Sequence, residues 1–290
     1  MINLDEFTIT EEALRRVGHT ENPRLREIMI SLIEHLHGFA REVKLTEQEW
    51  LEGVTFLTRT GQISDSVRQE MILLSDTLGL SQLVVAQSHS RPAEATEQTV
   101  FGPFHVEGAP NQPTHGADIA RGALGEPLWV AARVVDATGK PVSGAVVDVW
   151  QADASGFYDV QNVNWQIDEA RLRAVFKTDA DGRFSFRSIM PVGYPIPSDG
   201  PVGEMMRATN RHSMRPAHIH FMIKQAGFDV LVTHVFAEGD EYLDSDAVFG
   251  VRSSCIGNYV RHEPGTAPDE TWVVSPFYTL DYTFKLDRND

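Results

Sequence analysis

The chain of 290 residues contains a single cysteine, Cys255. An internal disulfide and a multi-cysteine metal site are both excluded, and a small buried thiol is the expectation for Cys255. Basic clusters are missing too. There are 25 Lys and Arg against 41 Asp and Glu, a formal net charge of −16, and the basic residues are scattered, with Arg15-Arg16 among the longest runs. Such a surface repels phosphate, so no nucleic-acid partner is expected. No apolar run approaches the roughly 20 residues that span a bilayer, and the acidic start, Asn3-Leu4-Asp5-Glu6, lacks the apolar stretch of a signal peptide. A cytoplasmic protein without a membrane span is expected. Hydrophobic residues make up 42%, enough to build a core, so wholesale disorder is excluded. Beside the lone cysteine stand 11 histidines, so any metal here is held by nitrogen and oxygen donors.

The pattern changes near residue 100. Before it the signals are helical. Thr8 and Glu11 read as a capping box, and Asn22-Pro23 as an N-cap followed by proline at the first helical position. Leu25, Ile28, Leu32, Leu36, Phe39 and Val43 follow a helical stripe. Thr46 and Glu49 repeat the capping box ahead of Trp50, Val54 and Leu57, and Gly61 closes that stretch. Ser64-Asp65 reads as the start of another helix, carrying Val67, Met71, Leu74 and Leu78 up to Gly79. After residue 100 short β-rich runs alternate with turns: 127–135, 142–150, 218–223 and 230–236, with a turn at 178–182 that leads into Phe184 and Phe186 on one face of a strand. Residues 191–201 hold four prolines and predict a fixed, extended loop. Short strands without alternating helices predict an antiparallel β-sandwich rather than a parallel α/β sheet. The fold class is thus mainly β with an α-helical N-terminal part, helical over 1–100 and a catalytic sandwich over 101–290.

The sharpest local feature is Arg215-Pro216-Ala217-His218-Ile219-His220-Phe221. On a strand, residues i and i+2 share a face, so His218 and His220 project together, about 7 Å apart along the strand. Two tyrosines stand in unusual settings: Tyr158 in Gly156-Phe157-Tyr158-Asp159-Val160-Gln161, and Tyr194 in the proline loop. Alone, each reads as a half-buried ring with its hydroxyl at the surface. Together with the two histidines they form a donor set of two phenolates and two imidazoles. That set has a charge of −2 and favours Fe(III) over Zn(II).

These residues resemble the intradiol ring-cleaving dioxygenases of aromatic catabolism. The resemblance rests on six motifs in order: Thr99-Val100-Phe101-Gly102-Pro103-Phe104; Gly144-Ala145-Val146-Val147-Asp148-Val149-Trp150-Gln151-Ala152-Asp153; Gly156-Phe157-Tyr158; Tyr194-Pro195-Ile196-Pro197-Ser198-Asp199-Gly200-Pro201-Val202-Gly203; the stretch 215–220; and Gly239-Asp240-Glu241-Tyr242-Leu243-Asp244-Ser245-Asp246. It implies one non-haem Fe(III) per subunit, bound by Tyr158, Tyr194, His218 and His220. It also implies a catalytic role for Tyr194, which leaves the metal and takes up a proton when the diol binds, and for Arg215, which stabilises developing negative charge. A structural ion pair is the alternative for Arg215.

Within the family the chain is most similar to the branch that cleaves hydroxyquinol (benzene-1,2,4-triol). The features that carry this are Asp76, placed to accept a hydrogen bond from a third hydroxyl, and His234, where catechol-cleaving members carry glutamine. A third, the Tyr158-Asp159-Val160-Gln161 run, is shared with chlorocatechol-cleaving members. The implied pocket also includes Leu73, Val100, Phe101, Gly102, Pro103, Ile196, Pro197 and Val248. The expected reaction is ortho cleavage by O2 to a 3-hydroxymuconate or maleylacetate. The alternatives are a catechol or chlorocatechol 1,2-dioxygenase, a sandwich-type binding module with structural histidines, and an Fe(II) site of His218, His220 and a carboxylate. The resemblance further implies a homodimer through the N-terminal helices, around a bound phospholipid in some members.

Overall fold

Asn22 accepts the Leu25 N–H at 3.0 Å, with Pro23 in the first helical position, so the longest helix is capped as expected. The computed structural model describes residues 3–65, 68–89, 95–162 and 164–289. The helical part comprises α1 (Ile9–Val17), α2 (Pro23–Glu42), α3 (Glu47–Gln62), α4 (Glu70–Thr77) and α5 (Leu80–Ser88). The Thr46–Glu49 box forms: the Thr46 N–H donates to Glu49 Oε2 at 2.9 Å and the Glu49 N–H to Thr46 Oγ1 at 3.3 Å.

Two helix starts differ from expectation. Thr8 makes no side-chain cap; its hydroxyl donates to Asp5 Oδ1 at 2.7 Å, and Asp5 also accepts the Thr8 N–H. Helix α4 begins at Glu70 because Asp65 Oδ1 accepts the Arg68 N–H at 2.7 Å, which closes a separate turn. Val67 lies outside the described residues. Gly79, at φ 76°, separates α4 from α5, a helix that the apolar spacing does not signal.

The chain divides into two compact units, Met1–Arg59 and Thr60–Asp290, so α4 and α5 belong to the unit that holds the sandwich. In the first unit Thr10 Oγ1 lies 2.9 Å from His37 Nδ1 and accepts from Arg41 Nη1 at 2.8 Å, which ties α1 to α2. Helix α2 has no buried residue, and its stripe Leu25, Ile28, Leu32, Leu36, Phe39 and Val43 is exposed or nearly so throughout.

The second unit carries β1 (Ala117–Asp118), β2 (Pro127–Asp136), β3 (Val146–Trp150), β4 (Arg173–Lys177), β5 (Arg183–Ile189), β6 (Tyr194–Pro195), β7 (Met214–Arg215), β8 (His218–Lys224), β9 (Leu231–Ala237), β10 (Ile256–Gly257), β11 (Tyr259–His262), β12 (Gly265–Thr266), β13 (Trp272–Val273) and β14 (Phe277–Leu286). A sixth helix, α6 (Pro201–Ala208), follows the proline loop. Two five-stranded sheets, β1-β5-β2-β14-β11 and β10-β9-β8-β3-β4, form the sandwich. Most neighbours are antiparallel, but β14 runs parallel to β2 from Tyr278↔Leu128 to Leu286↔Asp136. The 178–182 turn carries the chain from β4 in one sheet to β5 in the other, and Phe176, Phe184 and Phe186 stack across the core.

Strand β8 positions the site. Ile219, Phe221 and Ile223 enter the sandwich core, so the alternate residues His218 and His220 face the opposite side of the sheet. There Trp150 pairs with His220 from β3, and His234 pairs with His220 from β9. The loops cover this face, so it is buried rather than solvated. No single helix among the described residues is long and apolar enough to cross a membrane.

Candidate metal centre and substrate pocket

Four side chains meet on that face. Tyr158 follows β3 through a turn in which Asp153 accepts the N–H groups of Ser155 and Phe157, at 2.8 and 3.1 Å. Gly156 has φ 83°, and a Cβ there would lie 2.5 Å from Tyr194 Cβ, so this turn requires glycine twice over. Tyr194 sits on β6, which pairs with β7 residue by residue, Tyr194 opposite Arg215. The proline loop is thereby fixed as expected.

The polar atoms form a closed ring. Tyr158 Oη lies 2.9 Å from Tyr194 Oη and 2.9 Å from His220 Nε2. His218 Nε2 lies 3.2 Å from His220 Nε2 and 3.4 Å from Tyr194 Oη. His218 Nδ1 donates to the Pro216 carbonyl at 2.6 Å, which leaves the Nε2 lone pair facing the ring. Burial pushes His218 down to about 3, with the Arg215 charge adding to it, and burial pushes His220 well below its ordinary value. Both imidazoles are therefore neutral at neutral pH, the state in which imidazole can bind a metal. Burial raises both phenols, Tyr158 further because Tyr194 adds to it, while Arg215 works against the rise at Tyr194. A cation in the ring reverses that direction, since it takes the place of the phenolic protons. His234 brings a third buried imidazole, and ring nitrogens of His218, His220 and His234 lie within 4.8 Å of one another. The inward lone pair of His218, the Nε2 of His220 and two phenols, with no carboxylate in the ring among the described residues, make a donor set that fits a hard, highly charged metal ion.

The chain has relatives among the dioxygenases. The profile of the dioxygenase family matches residues 100–287, and that of the catechol dioxygenase N terminus matches 22–96. A 6-chlorohydroxyquinol 1,2-dioxygenase of Cupriavidus pinatubonensis is 55% identical over 99% of both chains. A solved hydroxyquinol 1,2-dioxygenase of Pseudomonas putida is 46% identical, covers 98% of this chain and 99% of its own, and superposes with a TM-score of 0.88. A catechol 1,2-dioxygenase of Pseudomonas arvilla is 30% identical, with a TM-score of 0.85 over 97% of this chain and 92% of its own.

The chain belongs to the intradiol ring-cleavage dioxygenase family.

In this dioxygenase Arg215 forms the structural ion pair that the sequence left open, and it also reaches the ring. Its Nε donates to Asp246 Oδ1 at 3.0 Å, a buried ion pair, while Nη1 stays 3.4 Å from His218 Nε2 at the edge of the ring. Burial opposes both charges, yet Arg215 holds the Asp246 carboxyl below its ordinary value, and Asp246 keeps Arg215 protonated. Gly250 N–H also donates to Asp246, at 2.9 Å.

A cavity of about 480 Å³ opens beside the ring, lined by Tyr194, Leu73, Pro103, Ile196 and Pro197 among the expected residues. Asp76, Val100, Phe101, Gly102, His234 and Val248 are not on its wall. Asp76 is buried on α4, within electrostatic reach of Arg215 and Asp246, and burial raises its carboxyl while Ser81 counters with a hydrogen bond. Val100 and Val248 are buried, and Phe101 is half exposed against His105 and Trp150. Gly102 has φ 73°, and a Cβ there would lie 3.3 Å from His220 Cε1. Sequence reasoning missed Phe104, whose ring stacks on Tyr158 at 4.4 Å, and Arg173, which pairs with Asp159 at 2.6 Å and donates to the Phe104 carbonyl at 3.1 Å. Asp159 follows Tyr158 directly, so that one carboxylate was the available signal. Arg68, held by Glu70 and Asp199 on the cavity rim, was also missed.

Proposed function

We propose that this enzyme opens the aromatic ring of hydroxyquinol between its adjacent hydroxyl-bearing carbons with O2, to give a 3-hydroxymuconate that tautomerises to maleylacetate. The observation that carries the reading is the closed ring of Tyr158, Tyr194, His218 and His220, set beside a cavity large enough for a single aromatic ring. These four residues would hold one Fe(III), which when bound supplies Lewis acidity toward the diol and a one-electron path between diol and O2.

The remaining parts follow from positions within the chain. Tyr194 lines the cavity, whereas Tyr158 is covered by Phe104, so Tyr194 is the phenol that can give way to substrate and hold its hydroxyl proton at Oη. Arg215 keeps its charge inside the protein because Asp246 balances it, and its Nη1 faces the reacting region as a fixed donor. Trp150, stacked on His220 at 4.7 Å, excludes water from one side of the imidazole. Asp76 is the proposed acceptor for the third hydroxyl: it is buried on α4, the helix whose Leu73 lines the cavity, although its own side chain is not on the wall. Catechol lacks that hydroxyl and would leave a buried carboxylate unpaired. The specificity of the 6-chlorohydroxyquinol and hydroxyquinol relatives supports the same choice.

The test is ring-opened product from a panel of hydroxyquinol, catechol and chlorocatechols. We expect kcat/KM for hydroxyquinol at least tenfold above catechol, and equal values would contradict the substrate. The exposed stripe on α2 supports a homodimer through the N-terminal helices, with phospholipid as a further occupant of that surface.

A further inference from the structure

The third imidazole of the cluster is held differently from the other two. His234 Nδ1 lies 2.7 Å from Thr99 Oγ1, and its Nε2 is buried without a partner among the described residues. Thr99 is itself fixed: its N–H donates to the Val232 carbonyl at 3.0 Å, and neighbouring Gln98 accepts the Val232 N–H at 2.6 Å. Both Thr99 and His234 are fully or almost fully buried.

A hydroxyl proton in such a place needs an acceptor. Among the described residues, the only hydrogen-bond partner of Thr99 Oγ1 is His234 Nδ1. If the imidazole donated instead, the threonine proton would be buried with nothing to receive it. The threonine therefore donates, Nδ1 accepts, and the single proton of the neutral ring sits on Nε2. A protonated Nε2 is no metal ligand. We infer that Thr99 sets the tautomer of His234, so that the three clustered histidines divide into two ligands, His218 and His220, and one hydrogen-bond donor. That donor would serve an oxygen atom of the diol held beside His218 and His220, whose ring nitrogens lie within 4.8 Å of one on His234, rather than an oxygen in the open cavity, whose wall His234 does not join. Thr99 is then a positioning residue, acting only through His234. The role of the donor rests on the proposed iron site, whereas the tautomer does not.

Nitrogen-15 NMR of histidine-labelled full-length protein reads the tautomer directly, in the metal-free chain and after loading with Ga(III), a diamagnetic stand-in for Fe(III). The expected result in both states is a His234 with an accepting Nδ1 and a protonated, unbound Nε2. A protonated Nδ1, or an Nε2 bound to gallium, overturns the inference. Absence of metal uptake would instead overturn the iron reading and leave the tautomer to be read from the metal-free spectrum. In the iron-loaded enzyme, Thr99→Val should lower kcat/KM for hydroxyquinol about tenfold at unchanged iron content, while Thr99→Ser stays within about threefold of the parent. Equal loss in both variants, or no loss in Thr99→Val, contradicts a role through the hydroxyl.

Discussion

At the residue scale, each member of the ring has a neighbour that decides its behaviour. His218 is oriented by a carbonyl, Tyr158 is covered by Phe104, and Tyr194 faces the cavity beside Arg215. The two tyrosines should therefore differ under substitution. Tyr194→Phe should keep iron, shift the visible band and lower kcat by a factor on the order of 10²–10⁴, whereas Tyr158→Phe should lose iron and colour together. Metal analysis with steady-state kinetics checks both, and identical behaviour of the two variants would contradict the division of roles. Asp76→Ala should lower kcat/KM for hydroxyquinol roughly 10- to 100-fold and leave catechol within a few-fold, because only the triol offers a hydroxyl to a buried acceptor. The four ring residues were legible in the sequence because two of them share a strand face and the others stand in recognisable motifs. The partners were not. Asp246 lies 31 positions from Arg215 and Arg173 lies 14 from Asp159, and no local pattern announces a pair that only the fold brings together.

At the element scale, the strands read clearly because one face of each enters the core, as with Phe184 and Phe186 on β5. Strand partners did not read as clearly. Alternation reports which face is buried, not which strand lies alongside, so the parallel β14–β2 pair was invisible. The start of α4 was misplaced because Asp65 serves a turn as readily as a helix. The elements around the ring are locked by the buried Arg173–Asp159 pair, which joins the turn after Tyr158 to β4 and to the Phe104 carbonyl. Arg173→Met should destabilise the fold by about 3–5 kcal/mol in denaturant titration, since it strands a buried carboxylate. A loss below about 1 kcal/mol would show that the pair is dispensable.

At the scale of the whole molecule, the −16 charge and the single cysteine describe the surface and the chemistry that is absent, not the partner. The change from helix to strand near residue 100 was legible, but the division into compact units falls at 59/60, because α4 and α5 belong with the sandwich. Among the described residues of Met1–Arg59, nothing covers the exposed row on α2. Analytical ultracentrifugation should find a dimer, and Leu32→Glu with Leu36→Glu should shift it to monomer. A wild-type monomer would contradict the assembly. The central claim is that Tyr158, Tyr194, His218 and His220 hold Fe(III) for ring cleavage. Its most direct test is the visible spectrum of the purified protein, recorded before and after anaerobic addition of hydroxyquinol. We predict a wine-red protein with about one iron per chain, whose tyrosinate-to-iron band shifts to longer wavelength when substrate binds. An active, iron-loaded protein without colour would contradict the ligand set.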